Sequence, residues 1–394
     1  MNQEVLSADA GQDVVAKAKK AYSRSLLNLA IYAVIGVVLV NVIAIIVYAA
    51  WGTSGEAASV ADTTTTAFET TVQTTLTFET TAYVSETTAA TEIASEAAAG
   101  SDTPEIPTTV MYLIQFLPMY LVAFPIYLLL SKNMETAPPE QHSMKLSHII
   151  LAFFCCEGIS VAGNYIGTFF NLFLTNLLGV ETSATFLEEG VFGDSAILFG
   201  CIATLCAPFV EEMLFRKVLI DRIRKYGDGT AILISGLMFG LFHGNFTQFF
   251  YAAGMGAMFA FIYIRTGRVR YTIALHFMAN FLGSVVPMIT LRNVDYNGLM
   301  EALENNQIST LIGMAGQLIP FFIHLACIWM MVITGVILLI VFRKRFTVNP
   351  PITPLPKGKK LEAVCMNVGF WVFVVFCVVE FVMQILQNLP ALTE

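Results

Sequence analysis

Apolar runs of membrane-spanning length alternate with short polar or basic intervals along the chain. Residues 26–51 form an uncharged apolar run of 26 residues. At 1.5 Å per residue, such a helix exceeds the ~30 Å of a bilayer's hydrocarbon core. Further apolar runs lie near 110–131, 146–178, 195–219, 230–247, 249–265, 271–290, 312–342 and 364–388. The pattern predicts an all-α fold: a polytopic transmembrane helix bundle of about nine spans. The 146–178 run is longer than one crossing needs and is expected to tilt or to begin as an interfacial helix.

Composition supports the same class. The 394-residue chain is 56% hydrophobic and 13% charged, against roughly 25% charged in soluble proteins. No short apolar core followed by a small-residue cleavage site marks the first run, so it reads as a retained anchor. The seven cysteines all sit in apolar runs without metal-finger spacing to histidine; they read as small packing residues. The partner that composition implies is a lipid bilayer, and no nucleic acid is expected.

Charge sets an orientation. Residues 1–25 carry Lys17, Lys19, Lys20 and Arg24, and no Lys or Arg follows until Lys132. By the positive-inside rule the head is cytoplasmic and the segment after the first span lies outside. That segment, 52–109, has 18 Thr and nine acids with no base. It reads as a low-complexity extracytoplasmic stalk. Nine acids there account for the net charge of −8, so the acidity says nothing about the membrane core. The chain thus divides into a cytoplasmic head (1–25), a first span (26–51), the Thr-rich loop (52–109), a second span with its cytoplasmic loop (110–145), a membrane core (146–290) and two further C-terminal spans (291–394). The basic segments 216–225, 265–270, 343–345 and 357–360 fall inside, and 181–194 and 292–306 fall outside. Short basic loops with a Thr-rich outer loop suit a bacterial cell membrane.

Polar residues inside such spans are the candidate chemistry, because a charge at mid-bilayer costs at least ~2.5–3.5 kcal/mol. Three segments carry them. In "EEMLFR", Glu212 and Arg216 are i, i+4 neighbours on a helix and can pair; Glu211 points elsewhere. A purely structural ion pair would use the same residues. In "FGLFHGN", His243 closes an apolar run; alone it equally suits a buried structural histidine. In "LHFMAN", His276 and Asn280 stand one turn apart on one face, a spacing that also serves helix–helix hydrogen bonding. Together the segments supply a carboxylate base, two imidazoles and an amide donor, a sufficient set for hydrolysis. No serine nucleophile elbow and no HExxH zinc motif is present.

The ordered trio "EEMLFR" … "FGLFH" … "HFMAN" resembles the EExxxR, FxxxH and HxxxN motifs of the CAAX-protease and bacteriocin-processing family (CPBP, or Abi), which includes the Ras-converting CAAX prenyl endopeptidases. The motifs cover 211–280. The resemblance implies a glutamate-dependent intramembrane endopeptidase with catalytic residues Glu211, His243, His276 and Asn280. It implies Glu211 as the water-activating base, His243 as its partner in holding the water, and His276 with Asn280 as the oxyanion pair. Glu212 and Arg216 would support and orient. No cofactor or metal is expected, with zinc the minority alternative, since two His and one or two Glu could hold it. The substrate would be a membrane-associated peptide, prenylated or bacteriocin-type. The alternative function is a non-catalytic membrane immunity or scaffold protein that binds a bacteriocin or receptor. A proton-coupled transporter is a third, weaker reading, without an evident inverted hydropathy repeat.

Overall fold

The computed structural model describes residues 2–52, 106–178, 200 and 202–387. The Thr-rich stretch from 53 to 105 and the loop 181–194 lie outside the described residues. The described chain is helical with no strand among those residues. Its helices are α1 (Asn2–Gly52), α2 (Thr109–Ser131), α3 (Leu146–Leu178), α4 (202–223), α5 (Asp228–Phe242), α6 (Phe246–Thr266), α7 (Val269–Leu291), α8 (Tyr296–Glu304), α9 (Ile308–Val341), α10 (Lys360–Cys365) and α11 (Val368–Gln387).

Seven of these, α1, α2, α3, α6, α7, α9 and α11, are long and apolar enough to cross a membrane. The other two expected spans differ for separate reasons. Helix α5 has only 15 residues, about 22 Å of rise, short of the hydrocarbon thickness. Helix α4 carries Glu211, Glu212 and Arg216, and the segment before it lies outside the described residues.

Close backbone approach holds the centre of the bundle together. Gly163 and Gly167 on α3 face the start of α6, where a Cβ would fall 2.4 Å from Tyr251 Cα and 2.6 Å from the Phe246 carbonyl oxygen. Gly236 and Gly240 on α5 do the same against Ala253 and Ala257 of α6. Both are small-xxx-small pairs, which let membrane helices pack at backbone distance. The head and the first span form one continuous helix, α1. Its seam Ala18, Tyr22, Leu26, Leu29 and Ala33 is buried, and the Gly369 amide of α11 donates to Ser23 Oγ at 3.0 Å.

Three π turns have a common cause. They span Met119–Ala123, Ile202–Cys206 and Phe281–Val285. Each is centred four residues before a proline: Pro125, Pro208 and Pro287. Proline offers no N–H to the i−4 carbonyl and its ring crowds that carbonyl, so the turn widens. A fourth π stretch, Met213–Ile220, contains no proline and begins directly after the paired glutamates.

Below that stretch, "RKVLIDRIRK" forms an anchored polar end rather than a free loop. Arg222 donates to the Ser131 and Val218 carbonyls at 2.5 and 2.8 Å. Tyr263 donates to Asp221 at 2.7 Å, and Arg224 donates to the Ala137 carbonyl at 3.0 Å. The bonds to Ser131 and Ala137 tie the end of α2 and the connection after it to the end of α4, and the Tyr263 bond ties α4 to α6.

Candidate active site

Glu211 and Glu212 close the short α-helical stretch Ala207–Glu212 of α4, which follows directly on the π turn ahead of Pro208. Both acids are buried, 2% and 0% exposed. Their environments differ. Glu212 Oε2 lies 3.1 Å from Arg216 Nε, and its Oε1 lies 3.1 Å from His276 Nδ1. Arg216 is fully buried, and its Nη1 and Nη2 have no hydrogen-bond partner in the protein. Its guanidinium lies 4.2 Å from the Phe239 ring centroid, 5.4 Å from Phe259 and 5.9 Å from Phe215. Cation–π contact with desolvated rings takes the place of the missing donors' partners.

Glu211 Oε2 faces the other edge of the same imidazole, 3.6 Å from His276 Nε2. That is charge-pair range and beyond a direct hydrogen bond. His276 therefore stands between two carboxylates. Its Nδ1 donates to Glu212, since an ionised carboxylate only accepts, which directs Nε2 toward Glu211.

His243 is held by an α–α corner that the sequence "HGN" builds. Gly244 takes φ +66°, the left-handed region that glycine enters freely. Asn245 then caps α6: its Oδ1 accepts from Gln248 N at 2.9 Å and Thr247 Oγ1 at 2.7 Å. Its Nδ2 donates to the His243 carbonyl at 2.8 Å. The His243 ring donates from Nδ1 to the Phe239 carbonyl at 2.7 Å. A carbonyl cannot donate, so this bond fixes the tautomer and leaves Nε2 as an acceptor. Phe239, first residue of the FxxxH motif, touches both imidazoles edge-on, with centroids 4.8 Å from His243 and 5.8 Å from His276.

Glu211, His243, His276 and Asn280 all border one cavity of about 450 Å³ between α3, α4, α6, α7 and α9. Glu212 and Arg216 do not line it. The cavity admits far more than a water. Sequence reasoning missed its far wall: Ser160, Asn164 and Thr168 on α3, Gln248 on α6 and Trp329 on α9. The α3 polar residues were legible as an i, i+4, i+8 stripe in an apolar run. Among the described residues, no three His, Cys, Asp or Glu side chains are grouped as a metal ion would need.

Helices outside the motif region close in on the site. Phe373 of α11 stacks on Phe242 with centroids 6.4 Å apart, and Phe381 packs edge-on to Phe246 at 4.6 Å. Glu380 is 2% exposed, and its Cβ lies 3.2 Å from where a Cβ on Gly244 would sit. The C-terminal helix thus underpins the corner that holds His243.

Fold and site together define a polytopic helical membrane protein with a buried carboxylate–imidazole centre, and comparison with known proteins finds likenesses for its central segment. Residues 193–282 match the family model described as "Type II CAAX prenyl endopeptidase Rce1-like". Over 93 residues the chain is 31% identical to a "Putative membrane peptidase YdiL" of Bacillus subtilis, covering 23% of this chain and 38% of that protein. It is 29% identical over 90 residues to a "Membrane-embedded CAAX protease MroQ" of Staphylococcus aureus, covering 21% of this chain and 36% of that one. The match spans less than two fifths of the length of these curated relatives. No solved structure gives a significant match. Over residues 193–282 the chain is thus similar to CAAX-type membrane proteases.

Proposed function

We propose that the protein is an intramembrane endopeptidase that hydrolyses peptide bonds of membrane-associated substrates with a water activated by Glu211 and His243. One observation carries the reading: Glu211, His243, His276 and Asn280 share one cavity, while Glu212 is held outside it by Arg216 and His276. Glu211 takes a proton from water as the water oxygen bonds to the scissile carbonyl carbon. His243 Nε2, set as an acceptor, orients that water. The carbonyl π pair moves to oxygen, and the oxyanion takes hydrogen bonds from His276 Nε2–H and the Asn280 amide. Collapse re-forms the carbonyl and breaks the C–N bond. The proton held by Glu211 passes to the leaving nitrogen.

Charge counting supports these roles. Glu212 and Arg216 form a neutral pair outside the cavity. With Nδ1–H given to Glu212, His276 can offer Nε2–H to the oxyanion only as the imidazolium, and Glu211 can act as the base only as the carboxylate. Glu212 then acts by holding the imidazole, a positioning role. In this reading the chemistry runs through water without a metal, and a chelator titration of the cleavage assay tests that. The same reading puts the N-terminus in the cytoplasm, with the site toward that face.

The deciding experiment is cleavage of lipid-anchored peptides by purified protein in nanodiscs. Glu211→Gln and His243→Ala are each expected to lower kcat by roughly 10²–10⁴. Wild-type rates in both would end the mechanism. A non-catalytic immunity or scaffold role predicts instead that Glu211→Gln keeps full activity in cells.

A further inference from the structure

The wall facing the catalytic set consists of polar residues that none of the catalytic steps uses. Ser160, Asn164 and Thr168 lie at i, i+4, i+8 on α3, so one stripe of the helix turns to the cavity. Polar side chains within a membrane-spanning helix disfavour insertion and are retained where they line a pathway or a site. Successive members stand about 6 Å apart along the helix axis, four residues at 1.5 Å. Backbone groups along one edge of an extended peptide repeat every second residue, about 6.7 Å. The two repeats agree to within a side-chain rotation.

Gln248 supplies an independent sign of a ligand. It borders the same cavity and is 0% exposed. Neither its Oε1 nor its Nε2 has a partner in the protein. The sequence "NFTQ" offers a capping box, in which the glutamine side chain returns a bond to the cap residue's N–H. Half of that box forms, with Asn245 accepting from Gln248 N. The Gln248 amide does not complete it. A buried amide left without a partner is costly, and this one borders the cavity where a ligand could satisfy it.

We infer that Ser160, Asn164, Thr168 and Gln248 form a peptide-backbone subsite that takes the substrate as an extended strand and delivers its scissile bond to Glu211. The inference rests on the endopeptidase reading. It adds a specificity: recognition runs along one backbone edge, largely independent of side-chain identity. These are positioning residues, and they make no bond to the reacting water.

The test uses full-length protein in nanodiscs, carrying Glu211→Gln to stop turnover. The probe is an N-palmitoylated, dansylated hexapeptide of Ala and Leu. Two analogues are N-methylated at alternate residues, one along each backbone edge. Methylating one edge is expected to weaken binding by about 2- to 10-fold per lost hydrogen bond, with little loss for the other edge. Adding Asn164→Leu and Gln248→Met should erase the difference between the edges. Gln248→Met removes an amide without a protein partner, so it should melt at or above its parent. A lower melting temperature makes Gln248 structural and overturns its role. Equal losses for both edges, or an edge difference that survives both substitutions, overturns the subsite. Wild-type protein that binds with an edge preference but never cleaves the parent hexapeptide removes the peptidase reading and leaves the subsite standing. Cleavage without edge preference does the reverse, and absence of both binding and cleavage overturns both.

Discussion

Removing Arg216 tests whether the buried pair is a charge-neutral unit. Arg216 and Glu212 are both 0% exposed and 3.1 Å apart. In Arg216→Met the Glu212 carboxylate stays buried with only His276 as partner. Breaking a buried pair from one side costs ~3–5 kcal/mol. Loss of the stacking on Phe239, 4.2 Å from the guanidinium, adds up to about 2 kcal/mol. Arg216→Lys keeps the charge and loses the planar contact, so a loss of roughly 1–2 kcal/mol is expected. The informative variant is Glu212→Gln/Arg216→Met, which removes both charges at similar volume. It should be clearly more stable than Arg216→Met alone, because an apolar or neutral replacement of a buried pair is often tolerated. The assay is SDS-driven unfolding in mixed micelles, followed by fluorescence of the three tryptophans. A double-mutant cycle then yields the coupling energy. If the double variant loses as much as the two singles combined, the pair is uncoupled and the charge argument fails.

Three further outcomes follow from the geometry. Gly163→Leu places atoms where a Cβ already meets Tyr251 Cα at 2.4 Å; it should cost at least ~1–3 kcal/mol by overpacking and lower the melting temperature. Asn245→Ala removes the α6 cap and the bond to the His243 carbonyl, costing ~0.5–2 kcal/mol; Asn245→Asp should restore the cap but not cleavage, read as melting temperature against kcat. His276→Ala and Asn280→Ala should each lower kcat by roughly 10²–10³ with little change in KM if they act on the oxyanion; a KM effect alone, in steady-state assays, would place them in ground-state binding.

The helical class was legible because apolar runs of spanning length report directly on the bilayer. The count was less so. Hydropathy cannot tell a 15-residue helix such as α5, packed through Gly236 and Gly240, from a full crossing. Within the site, the i, i+4 step from Glu212 to Arg216 is local and could be read from the sequence. The contact of Glu212 with His276 joins residues 64 apart in sequence, and no local period encodes it. The expectation that Glu211 points away from the Glu212–Arg216 pair rests on α geometry, whereas the chain takes π turns from Met213 onward, which brings i and i+5 closer together. Without a proline in that stretch, the sequence carried no signal of the change.

The spans with no counterpart among the motifs explain why a site with so few polar groups can be held in place. His243 ends a helix shorter than the bilayer and sits on a three-residue corner, a place where a lone helix end would fray. Asn245 and the Phe239 carbonyl hold the corner from within. From outside, Phe373, Phe381 and Glu380 of α11 pack against Phe242, Phe246 and the Gly244 turn. Helix α11 is in turn locked to α1 where a Cβ on Gly369 would overlap the Ser23 carbonyl. On the opposite wall α9 brings Trp329 to the cavity and packs on α3 at Gly158 and Gly335. The proposed catalytic set therefore depends on helices that carry none of its residues. Preorganisation of a carboxylate and two imidazoles in a low-dielectric site requires such a frame, because their mutual attraction alone does not offset their desolvation.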